Sequence, residues 1–161
     1  MGEKNNENPH SELEAALPEI LSGDTLKNAL DFMAFLKANG MLAGGAHGEV
    51  SCKGKCMCYM HFGTWAQAPD PWTIWTEGDY SEEQADTPIS TELKEIAWAN
   101  VNRCTSCGCG RQPGKRKIIF GKAFENVCNA DMAFYLPDAG ALTCVKQLLL
   151  MRKNLVDENN L

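Results

Sequence analysis

The residues with the clearest chemistry are Cys104-Thr-Ser-Cys107-Gly-Cys109-Gly110, three thiols within six residues, followed nineteen positions after Cys109 by Cys128. A CxxC turn can aim two thiolates at one ion, and tetrahedral zinc, at ~2.3 Å from each sulfur, is satisfied by four cysteines or by three with a histidine. Gly108 and Gly110 ease the turn, and Pro113-Gly114 with a short strand beyond can return the chain to the knuckle. The preferred metal set is therefore Cys104, Cys107, Cys109 and Cys128. Four thiolates close the coordination shell and leave no place for water or substrate, so the metal's role would be structural. Cysteine-only donors also suit iron or an iron–sulfur centre, and spacing alone leaves that choice open. The competing reading is free thiols acting as small hydrophobes, since a zinc ribbon carries two CxxC pairs and this chain has one.

Redox use of Cys104 and Cys107 is disfavoured by position. They follow a helix expected over Ser90–Asn102, whose negative end opposes a thiolate, although Arg103 and Arg111 partly offset this. Cys52, Cys56 and Cys58 form a second group, but same-face neighbours on a strand stand nearly 7 Å apart, too far to share one tetrahedral ion without strain, so core packing is expected. Cys144, among apolar helical neighbours, reads the same way.

Two other groupings could bind ligands. Tyr59, His61, Trp65, Trp72 and Trp75 belong to neighbouring strands and the loop between them, and could line a small-molecule pocket with His61 as its polar element; ordinary core packing competes. Arg111, Lys115, Arg116 and Lys117 lie in a stretch, 103–122, with six basic residues and no acidic one, and are candidate phosphate contacts. The competing reading is a solvated hairpin facing the acidic segment 77–95, which holds seven acidic residues and one basic. His47 is a lone loop histidine. No phosphate loop, HExxH helix or GxSxG elbow occurs, and no residue is assigned a catalytic role. The chain therefore reads as a binding or sensing module rather than an enzyme, with a small-ligand or thiol redox enzyme and a nucleic-acid-contacting regulator as alternatives.

Elements must position these groups. At 161 residues the chain suits one domain, and its net charge of −6 argues against a surface given over to nucleic acid. A small molecule or a protein is the expected partner. No apolar run approaches a membrane span and no secretory signal is evident, so a cytoplasmic protein with reduced cysteines is expected. The polar residues 1–22 read as a flexible arm, 23–154 as a single α+β domain with a Cys-rich hairpin at 103–128, and 155–161 as a frayed tail. Helical spacing marks Asp24–Asn39, Ser90–Asn102 and Asp138–Asn154. Residues 41–48 read as loop, and Glu49–Phe62 as a hairpin turning at Lys53-Gly54. Trp72–Thr76, Lys117–Phe120 and Ala133–Leu136 read as further strands, with GKAFENVCNAD between the last two taken as a connection. The expected fold class is α+β, a mainly antiparallel sheet of about five strands on about three helices.

The segments FMAFLKANGM, KGKCMCYMHFG, PWTIW, CTSCGCGRQPGKRKIIFGKAFENVC and LTCVKQLLLMRK together resemble a group of uncharacterised bacterial proteins over about Asp31–Lys153. The resemblance implies a small cytoplasmic α+β domain without an assigned activity, and faintly a sensing or binding role; it carries over no catalytic residue.

Overall fold

The computed structural model describes residues 9–44, 48–63, 70–77, 89–105 and 113–159. Among them the chain runs α1 (Pro9–Ile20), α2 (Gly23–Ala38), β1 (Leu42–Ala43), β2 (Glu49–Cys52), β3 (Lys55–Phe62), β4 (Trp72–Thr76), α3 (Thr91–Ala99), β5 (Val101–Arg103), β6 (Lys115–Ile119), β7 (Lys122–Tyr135) and α4 (Ala139–Glu158). The class is α+β with an antiparallel sheet, as expected, but of seven strands and four helices among the described residues.

The sheet order is β1-β2-β3-β4-β7-β5, with β6 also paired to β7. β7 has two partners at each end. Met132 faces Thr76 of β4 and Val101 of β5, whereas Val127 faces Lys115 of β6 and Arg103 of β5. So β6 continues the line of β4 along one edge of β7, and β5 holds the other. Two hairpins, β2–β3 and β6–β7, close on left-handed pairs: Lys53-Gly54 at φ 50° and 75°, Phe120-Gly121 at 49° and 80°. Paired positive φ values give the two-residue turn whose twist matches the strands.

Register separates the two faces of the central strands. Trp72, Ile74 and Thr76 line up with Phe62, Met60 and Cys58 on one side; Ile74 and Thr76 also align with Phe134 and Met132 on the other. This face joins the core with Phe32, Met33 and Leu36 of α2 and Val145, Leu148 and Leu149 of α4, and the Trp72 and Phe32 ring centres stand 6.3 Å apart. Burying one such side chain stabilises the fold by about 1.5–3 kcal/mol. Helix ends follow local chemistry: Ser90 Oγ accepts from Leu93 N at 3.2 Å and an Asp138 carboxylate oxygen from Ala141 N at 2.8 Å.

Several expectations need correction. Within 1–22, Pro9–Ile20 is a helix rather than an arm, because Leu17 and Leu21 bury themselves and His10 Nε2 donates to Met33 O at 3.1 Å. Leu42–Ala43 pairs with Ser51 and Val50 as an edge strand, not a loop. The helix over Ser90–Asn102 stops at Ala99, where Asn100 turns the chain and Val101–Arg103 joins the sheet. The stretch between the last two expected strands is itself strand, part of the 14-residue β7. The last helix continues to Glu158, four residues into the expected tail. No helix of the described residues is long and apolar enough to cross a membrane.

Candidate functional site

The Cys104–Cys128 region is built where β5 and β7 fall out of step. From Val101↔Met132 to Arg103↔Val127, two positions along β5 are matched by five along β7. β7 must bulge there, and a bulge deprives backbone groups of ladder partners. Side chains take over. Asn126 Nδ2 donates to Cys104 O at 2.6 Å, Asn102 Nδ2 to Ala130 O at 3.0 Å, Arg103 Nη1 to Glu125 O at 2.8 Å and Lys117 Nζ to Cys128 O at 3.3 Å. Asn126 itself sits at φ 57°, a left-handed conformation that Asn tolerates better than most residues. An added Cβ on Gly114 would fall 2.6 Å from the Asn126 carbonyl carbon, so the chain passes too close there for a side chain.

Lys117 does a second job. Its ammonium pairs with Asp131, whose side chain is 1% exposed. A buried carboxylate requires such a counter-charge, so the bulge is fixed by an ion pair as well as by hydrogen bonds. Arg116 Nε lies 3.0 Å from Glu125 Oε1 in an exposed pair. Of the four candidate phosphate contacts, Lys117 is thus held inside the knuckle, Arg116 shares its charge with Glu125, Lys115 is exposed, and Arg111 lies outside the described residues.

Cys104 N donates to Asn126 O at 2.7 Å, which sets Cys104 two residues of β7 away from the level of Cys128. Both are free, half-buried thiols. Cys107 and Cys109 lie outside the described residues, and among the described residues no group of three or more His, Cys, Asp or Glu gathers as a cation site. Of the four expected metal ligands, the described residues thus hold Cys104 and Cys128.

Cys52, Cys58 and Cys144 are buried, desolvation pushing Cys144 up to about 12 and Cys58 higher still. Burial also raises half-buried Cys56.

The aromatic candidates divide between the two faces. Tyr59 and Trp75 share one row with Ala133, and His61 shares the next with Thr73 and Tyr135. Trp72 is on the opposite face, fully buried in the core and stacked on Phe62 at 5.7 Å, so it is no part of a pocket with the others. Trp65 and His47 lie outside the described residues. Hydrogen bonding to Cys56, then burial, pushes the Tyr59 phenol up to about 12; burial, then the charges of Asp70 and Cys128, raises Tyr135. Thr73 Oγ1 on this face, and Thr76 Oγ1 and Trp72 Nε1 on the other, are buried without a hydrogen-bond partner among the described residues. A cleft of about 360 Å³ opens elsewhere, between Ile96 and Asn100 at the end of α3, Tyr135 and Leu136, and Asp138 and Ala141 at the start of α4.

Asn102, Asn126 and Asp131 were not singled out by sequence reasoning. The only available signal was three polar residues inside stretches of strand-forming composition, which gives no hint of which carbonyl each would serve. No family model, curated protein or solved structure matches the chain.

Proposed function

We propose that the protein is a non-enzymatic binding or sensing module whose β5–β7 region is organised by a zinc ion on Cys104, Cys107, Cys109 and Cys128. One observation carries the reading: the backbone bond from Cys104 N to Asn126 O, 2.7 Å, ties the start of the CxxC turn to the stretch of β7 that holds Cys128. Three residues of chain reach at most about 11 Å and five about 18 Å, so chain length allows Cys107 and Cys109 to return to that junction. The side chains that replace ladder bonds around the bulge hold the β7 contribution in place before any metal arrives. Pre-formed ligands reduce the ordering cost of binding. Each thiol loses its proton on coordination, and such a site can contribute on the order of 10 kcal/mol to folding.

Elemental analysis of protein purified without added metal tests this. About one zinc per chain, lost in Cys104→Ser and Cys128→Ser and kept in Cys56→Ser, is the expected result. Metal-free protein that melts at the same temperature with and without chelator overturns it. Iron in zinc's place, with a coloured absorption spectrum, keeps the thiolate site and replaces the ion.

A further inference from the structure

The β5–β7–β6 part of the sheet carries exposed positive charge at Arg103, Lys115 and Lys122. Arg103 and Lys115 flank Val127 in one row, so their Cα atoms stand two strand spacings, about 10 Å, apart. Lys122 lies further along β7. Two of these cations are seated on aromatic rings: the Arg103 guanidinium stands 5.5 Å and the Lys122 ammonium 5.6 Å from the centre of Phe124, and Lys122 is also 5.1 Å from the centre of Trp98. Trp98 is fixed in turn by its Nε1 bond to Ile119 O at 2.7 Å. All three cations are exposed, and among the described residues none has a carboxylate within ion-pair distance. The neighbouring Lys117 and Arg116 do have such partners.

The contrast matters. A lysine or arginine on a disordered stem loses rotamer entropy when it grips an anion, whereas one already resting on a ring loses less. Two cations resting on rings, with Lys115 about 10 Å across the strands from Arg103, suit a chain of regularly spaced negative charges better than a single anion. A sheet surface bearing cations and aromatic rings is a known means of holding single strands, whereas reading a duplex groove takes a protruding helix or ribbon.

We propose that Arg103, Lys115 and Lys122 form a docking surface for the phosphate backbone of single-stranded nucleic acid, bound without sequence preference. The surface does not require the ion: Arg103 also bonds Glu125 O in the bulge beside Cys104, but Lys115 and Lys122 make none of those carbonyl bonds.

The test is fluorescence anisotropy of the full chain with labelled oligo-dT and oligo-U of about 20 nucleotides, titrated at several salt concentrations. The expected result is saturable binding at low salt that weakens as salt rises, each phosphate contact adding about 0.7 to the slope of log affinity against log salt. Arg103→Gln/Lys115→Gln/Lys122→Gln should lower that slope by about 2 and weaken binding at least about tenfold at low salt. Lys27→Gln/Lys37→Gln/Lys55→Gln, the same charge change at other exposed lysines, should leave the slope nearly unaltered. If the first triple variant melts early, Lys115→Gln, which touches no ring, carries the test alone with a slope change of about 0.7. No binding at low salt, equal losses in both triple variants, or tighter binding of poly-glutamate than of the oligonucleotides overturns the proposal.

Discussion

The sheet has two halves held in register by different physics. In β3–β4 register is unbroken and set by alternation, Trp72, Ile74 and Thr76 turning to the helices while Thr73 and Trp75 turn away; β2 slips once against β3, between Val50 and Ser51. In β5–β7–β6 register changes twice along β7, and four side chains tie down the backbone carbonyls of Cys104, Glu125, Cys128 and Ala130. A half ordered by apolar burial tolerates little change of volume but is indifferent to charge. A half ordered by polar side chains is the reverse, and it is the half that carries Cys104, Cys128 and the exposed cations Arg103, Lys115 and Lys122.

Variants on either side should separate the two modes. Trp72→Ala removes the largest fully buried side chain and should cost about 3–5 kcal/mol in chemical denaturation, whether or not metal is present. Lys117→Met takes the ammonium from Asp131 and from the Cys128 carbonyl; a broken buried pair costs about 3–5 kcal/mol, and partial exposure of Lys117 points to the lower end. Lys117→Met/Asp131→Leu should recover most of that loss, whereas no second substitution nearby should rescue Trp72→Ala.

A matched pair of glycines sharpens the comparison. A Cβ on Gly48 would collide with the Met60 carbonyl and one on Gly114 with Asn126. Each Ala variant should lose about 1–3 kcal/mol, but only Gly114→Ala should also lower zinc occupancy. Asn126→Ala, which removes one hydrogen bond and leaves a left-handed backbone without its favoured residue, should cost about 1–2 kcal/mol and release zinc faster. A further effect is alkaline. Cys144 is raised to about 12 in the fold, so between the ordinary thiol range and that value the unfolded chain holds fewer protons than the folded one. Cys144 should leave stability unaffected below about pH 8; stability should decline as pH rises toward 12, and less steeply in Cys144→Ala.

The first half was legible in the sequence and the second was not, for the same reason. Trp72–Thr76 and the turn at Lys53-Gly54 are written in alternation and turn chemistry, which are local. The bulge in β7 depends on Asn102, Lys117 and Asn126 reaching carbonyls as far as 28 residues away, and no periodicity encodes that. A bulged stretch such as FENVCNAD also loses its period-two pattern, and so resembles a connection. Residues 9–20 were misread because a dozen polar neighbours hid Leu17, whose partners lie in another helix. Within the site, cysteine spacing suggests that Cys128 returns toward Cys104, but neither the backbone bond from Cys104 to Asn126 nor the Lys117–Asp131 pair is written in it.

The most direct measurement is X-ray absorption at the zinc edge on the purified full chain. Four sulfurs at about 2.3 Å, falling to three with one lighter ligand in Cys128→Ser, is the predicted coordination shell. A shell of nitrogen and oxygen only, or a spectrum unchanged by Cys128→Ser, would contradict it.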